Sequence, residues 1–319
     1  MHRNMFLRGM KGLVFLLFWP GIVLPGKPLH AQFDLGAEIR PRAEFREGYR
    51  RLPDESDKAA AFVYQRSRLT AGFAQSRVSV HLSVQDVRAW GQERQKDHTP
   101  SLDIHQAWAE LEINPNFSVK AGRQELKYDN ERFLSVNNWN MQSQKHDLLL
   151  LKYHQNSTHI HLGAALNHSG ELINRNMPDF HSQYAVDNYR FMSYLHGQSN
   201  IAGSETLSFL IIAEGYENQD NQAVYTKATW SVFSKWNMGR VRLLLNPAFQ
   251  HGKTTEGLDV RAWYLRTDFS ISPLRAWDAT LGMEYFSGNG PSETGKTVYR
   301  AFDPRHGSGH AHNGSMDYF

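Results

Sequence analysis

The stretch Phe33-Asp34-Leu35-Gly36-Ala37-Glu38-Ile39-Arg40-Pro41-Arg42-Ala43-Glu44-Phe45 decides the fold. Every odd position is nonpolar, and five charged residues with one glycine fill the even ones. Successive side chains of a β-strand point to opposite faces, so this strand is greasy on one side and charged on the other. It belongs either to a half-covered soluble sheet or to a barrel that faces lipid outside and a wet lumen inside.

The residues ahead of it, 1–31, read as a secretory signal. Arg3, Arg8 and Lys11 precede a short apolar stretch from Leu13 to Leu24, and cleavage is expected after Ala31. That stretch is too short for a membrane helix, and nothing later approaches about 18 uninterrupted apolar residues, so helical spanning is excluded. There is no cysteine, which removes disulfides, thiol catalysis and cysteine-based zinc sites. The net charge of +3 comes from the leader, whose loss leaves 31 basic against 32 acidic residues. An argument for an anionic partner must therefore rest on where the arginines sit.

Period-2 segments recur behind the first one. Val78, Val80, Leu82 and Val84 alternate with Ser79, His81, Ser83 and Gln85; Ala107, Ala109, Leu111 and Ile113 alternate with Gln106, Trp108, Glu110 and Glu112. The pattern predicts about thirteen strands, at 33–46, 61–74, 77–90, 103–113, 117–126, 145–154, 158–167, 187–196, 205–216, 223–234, 239–251, 258–269 and 277–287. The strand at 145–154 is apolar on both phases through Leu148–Leu151, and that at 187–196 is poorly patterned.

Tight links at 75–76, 114–116, 155–157 and 235–238 alternate with long polar ones at 47–60, 91–102, 127–144 and 168–186. This is the rhythm of a barrel with turns on one rim and loops on the other. A soluble sandwich has no reason to keep it. The expected fold is all-β, an antiparallel transmembrane β-barrel over 32–319.

On that reading Arg40, Arg42, Arg66, Arg68, Lys120, Arg240 and Arg242 face the lumen with Glu38, Glu44, Glu110, Glu112 and Glu284. They form either a ladder that guides an anionic solute or a set of charges paired crosswise to stiffen the barrel. The densest polar cluster runs through Arg123, Gln124, Glu125, Tyr128, Asp129, Arg132 and Asn137-Asn138-Trp139. It is expected as a constriction packed inside the barrel. Trp108 falls on the polar phase, where it is expected to line the lumen and stack on a sugar face. His159 and His161 share a strand face, and His306, His310 and His312 crowd the end of the chain, but no third ligand stands at matched spacing for a metal. No nucleophile elbow, phosphate loop or cation loop is present. No enzymatic activity, cofactor, metal or nucleic-acid partner is expected.

Several of these residues together resemble the alginate export porin family. The likeness is carried by Gly122-Arg123-Gln124-Glu125, Tyr128-Asp129, Arg132, Asn138-Trp139 and His146-Asp147. It continues in Glu284-Tyr285-Phe286-Ser287-Gly288, Ala301-Phe302-Asp303-Pro304, Gly307, His310, Asn313-Gly314 and Met316-Asp317-Tyr318-Phe319. Arg40-Pro41-Arg42, Gln85-Asp86-Val87-Arg88 and Gln250-His251-Gly252-Lys253 also fit it, whereas Ser308, Ala311 and Ser315 depart from it.

The resemblance implies an outer-membrane barrel of about eighteen strands with an arginine-rich pore for an anionic uronate polysaccharide. It carries Arg40, Arg42, Arg88, Arg123, Arg132 and Lys253 over as pore or constriction residues. The expected function is passive export or diffusion of an anionic polysaccharide or related solute across a Gram-negative outer membrane, with outer-membrane lipid and a periplasmic export machinery as partners. A general porin for small nutrients, and a β-domain that binds or processes saccharides, remain open beside it. Asn313, Ser315 and Asp317 stand where a closing strand needs apolar residues. Phe33–Phe45 is therefore expected to lack a closing partner, in a chain read as truncated.

Overall fold

The computed structural model describes residues 32–48, 52–94, 96, 101–167, 188–201, 205–217, 223–274, 277–290 and 297–314. The leader at 1–31 and the link at 168–186 lie outside them. Thirteen antiparallel strands follow one another in chain order in a single sheet: β1 (Gln32–Arg46), β2 (Ala60–Gln75), β3 (Val78–Ala89), β4 (Leu102–Asn114), β5 (Phe117–Gln124), β6 (His146–Gln155), β7 (Thr158–Leu166), β8 (Phe191–Ile201), β9 (Glu205–Glu217), β10 (Val224–Met238), β11 (Val241–Lys253), β12 (Asp259–Leu274) and β13 (Trp277–Phe286). A two-residue strand, β14 (Val298–Tyr299), adds to β12 in parallel, and one helical turn, α1 (His310–Asn313), follows. Among the described residues β1 pairs with β2 alone and β13 with β12 alone, so the sheet path does not close.

The two faces of the sheet differ as the alternation requires. Phe33, Leu35, Ile39 (74 % exposed), Leu69, Leu111, Leu149, Leu162, Phe269 and Leu281 (80 % exposed) share the outer face. So much contiguous apolar surface has no place in water, where each Å² of it costs about 25 cal/mol. Against hydrocarbon it is the expected coat of a membrane barrel. No helix among the described residues is long and apolar enough to cross a membrane, and the crossing elements here are strands.

The link rhythm holds among the described links. Links that follow even-numbered strands are two-residue turns wherever described: Ser76-Arg77, Pro115-Asn116, Asn156-Ser157 and Gly239-Arg240. Ser76, Asn156 and Gly239 adopt positive φ there, the conformation that tight strand reversals demand. Links that follow odd-numbered strands are longer, with 125–145 between β5 and β6 the longest described in full.

That link turns to the inner face and explains the strand apolar on both phases. Leu149 and Leu151 face outward, while Leu148 and Leu150 are buried under Leu126, Phe133 and Leu134 in the main apolar cluster. Met192, Tyr194, Leu210, Ile212, Tyr264 and Phe302 complete the cluster. The hydrophobic core therefore lies inside the curve of the sheet. It is built between the strands and two inserted segments.

Candidate lumen constriction

The first inserted segment, 125–145, begins where β5 presses against β4. Gly122 has φ +120°, and a Cβ there would lie 2.2 Å from Ala107 O. Gly252 repeats the device at the end of β11, 2.1 Å from Thr226 O. Each glycine is followed by a cation held by an aspartate on the next strand: Arg123 by Asp147, and Lys253 by Asp259.

The root of the segment reaches far across the inner face. The Tyr128 hydroxyl sits 2.8 Å from His161 Nδ1 and 2.9 Å from Tyr194 OH, and burial pushes this phenol up to about 12. Asp129 stands at φ 50° and accepts hydrogen bonds from His196 Nε2 (3.0 Å) and Ser208 Oγ. Glu131 would be raised by burial, but hydrogen bonds from Lys127 and Ser135 outweigh that and hold it below the usual carboxylate range.

The middle of the segment meets the second insert, residues 299–313. Ser135 N donates to His306 O (3.0 Å) and Ser308 N to Glu131 O (3.0 Å), a short two-rung ladder. The contact is so close that a Cβ on Gly307 would lie 1.9 Å from Arg132 O. Arg132, 2 % exposed, donates to Ser308 O, faces the Phe286 ring at 4.7 Å and lies 3.0 Å from Glu284 Oε1 of β13. The second insert is moored to the wall in turn. Gln250 exchanges two hydrogen bonds with the Asp303 backbone, Lys227 bridges Asp303 and Glu214, and His306 Nε2 lies 2.6 Å from Glu214 Oε2.

The far end of the first insert docks on β1 to β3. Arg40 Nη1 donates to Asn138 O (2.7 Å) and Arg42 Nη1 to Trp139 O (2.6 Å). The Trp139 ring lies 5.0 Å from the Arg42 guanidinium and 4.8 Å from His310. Arg66, 1 % exposed, binds Met141 O, Ser143 Oγ, Asn138 Oδ1 and Glu38 Oε1. Gln85 Nε2 donates to Gln142 O, and its Oε1 accepts from Arg68. The two inserts thus form one plug that touches β1 at one end and β13 at the other.

A family model for alginate export matches residues 31–319. The chain belongs to the alginate export family. No curated protein matches the sequence. Among solved structures, the chain is similar to the outer membrane protein opdK of Pseudomonas aeruginosa, at 12 % identity over 90 % of this chain and 72 % of that one, TM-score 0.56. It is also similar to OccK8 (OprE) of the same organism, at 10 % identity over 80 % and 68 %, TM-score 0.54. An anion-selective porin from Comamonas acidovorans matches at 9 % identity over 81 % and 79 %, TM-score 0.51. At such identities the likeness is one of fold. With the family it places the chain in the Gram-negative outer membrane as a channel, not an enzyme.

In this member of the family Arg40, Arg42, Arg66 and Arg68 all stand on the inner phase of β1 and β2. Arg132 and Asp129 lie inside the plug. Gln124 is fully buried at its entrance, its amide nitrogen on Gly122 O and Leu148 O. Glu125 binds His105 Nε2 at 2.7 Å. His105 carries no sequence signal, because it occupies a register shift opposite Ser83/Val84, where the period-2 count slips.

Three of the residues carried over by resemblance are out of phase with the lumen. Arg88 shares the phase of Val80, Leu82 and Trp90 and pairs with Asp86. Arg123 shares the phase of Phe117, Ala107 and Leu149, and Asp147 grips it with two hydrogen bonds of 2.9 Å. Lys253 shares the phase of Phe249 at the end of β11. All three sit at the long-link ends of their strands, the rim at which a barrel strand leaves hydrocarbon and tolerates outward charge.

Trp108 also differs from expectation. It is on the inner phase, but His81 stacks on it from β3 (5.3 Å, 15°) and Lys120 Nζ covers it from β5 (3.7 Å). The two flanking strands occupy both ring faces, leaving none for a sugar. Elsewhere on the inner face Lys152 pairs with Glu110 and Arg242 with Asp278. Among the described residues no three histidine or carboxylate side chains converge on a point that could hold a metal.

Proposed function

We propose that this outer-membrane channel carries an anionic solute, an acidic polysaccharide or its fragments, past the guanidinium groups of Arg40, Arg42 and Arg68. One observation carries the reading. Arg40 lies half-buried on the inner face and gives its hydrogen bond to a backbone carbonyl, with no carboxylate in ion-pair range among the described residues. A carbonyl dipole orients a guanidinium without cancelling its charge, so an anion in the lumen meets a net cation there.

Glu38, Glu44 and Glu125 stand beside the arginines and keep each contact weak enough to release. Arg66 and Arg132 are buried in the plug and hold it in place, so they set the width of the path rather than touch the solute. The plug's length across the inner face supports a constriction, with a periplasmic machinery delivering solute at the short-turn rim. Planar-bilayer reversal potentials under a salt gradient test the reading. Anion preference that collapses in Arg40→Glu supports it, and cation preference in the unaltered protein overturns it.

A further inference from the structure

A cavity of about 410 Å³ opens at the long-link rim, between the β11–β12 turn and the strand β14 with its continuation, lined by Tyr216, Lys253, Thr255, Glu256, Tyr299 and Arg305 among others. It lies on β9 to β12, across the sheet from the arginines of β1 and β2, and its volume falls in the usual range of small-molecule sites.

Its walls are braced. Thr254 N donates to Leu258 O and Gly257 N to Thr254 O, while Thr254 Oγ1 accepts from the amides of Glu256 and Leu258. Lys253 Nζ ties the same turn to Asp259. Opposite, β14 fixes Tyr299 by pairing with Val260. The Arg305 guanidinium lies 4.4 Å over the Tyr216 ring. Two polar groups are left over in this braced frame. Glu256 receives a hydrogen bond from Thr255 but has no cation in ion-pair range, and the Tyr299 hydroxyl has no partner, both among the described residues.

The charges select the ligand class. The three cations of the lining are each already held by a carboxylate, Lys227 by Glu214 and Asp303, Lys253 by Asp259, and Arg305 by Asp303. An anion would find no uncommitted cation among them and would meet Glu256. A neutral, hydroxyl-rich ring would find donors in Lys253 and Arg305, acceptors in Glu256 and Asp303, and an aromatic surface in Tyr299.

We infer that this rim cavity is a binding site for one or two units of a neutral saccharide, chemically distinct from the arginine path and independent of what that path conducts. The test is calorimetric titration and saturation-transfer NMR on the full chain folded in detergent, with maltotriose, mannotriose and trimannuronate as probes. A neutral trimer should bind more tightly than trimannuronate. Tyr299→Ala, and Thr255→Trp, which fills the cavity from an exposed turn, should each weaken it about tenfold or more. Heat-modifiable mobility on gels checks that each variant is folded. Absence of neutral-trimer binding, tighter binding of trimannuronate, or binding unchanged in folded Thr255→Trp would each overturn the inference.

Discussion

Arg66 Nη2 lies 2.7 Å from Glu38 Oε1 across the β1–β2 ladder, and the same guanidinium holds the plug by Asn138, Met141 and Ser143. A fully buried cation thus couples the barrel wall to the inserted segment. Arg66→Ala removes these bonds and leaves their acceptors unmet. Hydrogen bonds to charged groups contribute about 1.5–3 kcal/mol each in net terms and do not add fully, so a loss of about 3 kcal/mol is expected. Urea unfolding in detergent checks the stability. Hydrogen exchange at 138–143 should rise more than exchange in β6.

The ladder between the two inserts gives a sharper test. With 1.9 Å available at Gly307, an added methyl group cannot be absorbed by side-chain movement, because its neighbour is the Arg132 carbonyl. Gly307→Ala should undock 299–313 while the strands stay folded, seen as fast proteolysis near Arg305 in a barrel that still shows heat-modifiable mobility. Single-channel conductance should rise with it. Protease resistance equal to the unaltered protein would count against the plug geometry.

The plug should also loosen in mild acid, through His312. Its Nδ1 receives a hydrogen bond from Arg266 Nη1, which requires the unprotonated ring nitrogen. Burial, then the nearby Arg132 and Arg266 guanidinium groups, hold its pKa below the ordinary 6.5, and Glu284 opposes them only in part. Because the folded value is the lower one, the unfolded segment binds the proton more readily. The anchoring contribution is therefore complete above about pH 6.5 and falls as pH drops below it. Protection factors at 306–313, corrected for the intrinsic pH dependence of amide exchange, should fall between pH 7 and pH 5, and His312→Gln should flatten that response.

The strands were legible because two independent periodicities agreed. Side chains alternated every residue, and links alternated between short and long. Phe33–Phe45 can be read without structure because every outward position along it is nonpolar. Polarity loses its meaning near the long-link rim, where the outer face leaves the bilayer. Arg88, Arg123 and Lys253 sit there, and only the pairing register shows that they point away from the lumen. Leu148–Leu151 hid its phase for the opposite reason, since the plug makes its inner face apolar too. Trp108 follows the polar phase of its strand, but its two covers come from neighbouring strands, which one strand's sequence does not contain. The Arg132–Glu284 pair joins segments far apart in the chain, so no local pattern announces it.

The rim arginines supply a control that separates lumen chemistry from overall charge. Arg88→Ala and Arg123→Ala remove cations from the outer phase, where Asp86 and Asp147 already neutralise them. Ion selectivity in both should stay within error of the unaltered channel. A loss of anion preference in either variant would mean that the outward phase of these residues does not hold in the working channel.

The most direct measurement of the central claim is the anion-to-cation permeability ratio of single channels in planar bilayers, compared between the unaltered protein and the Arg40→Glu, Arg42→Glu double variant. The unaltered channel should be anion-selective and the double variant cation-selective, while Arg123→Ala stays anion-selective. A channel that is cation-selective from the start, or whose ratio is the same in all three proteins, would contradict it.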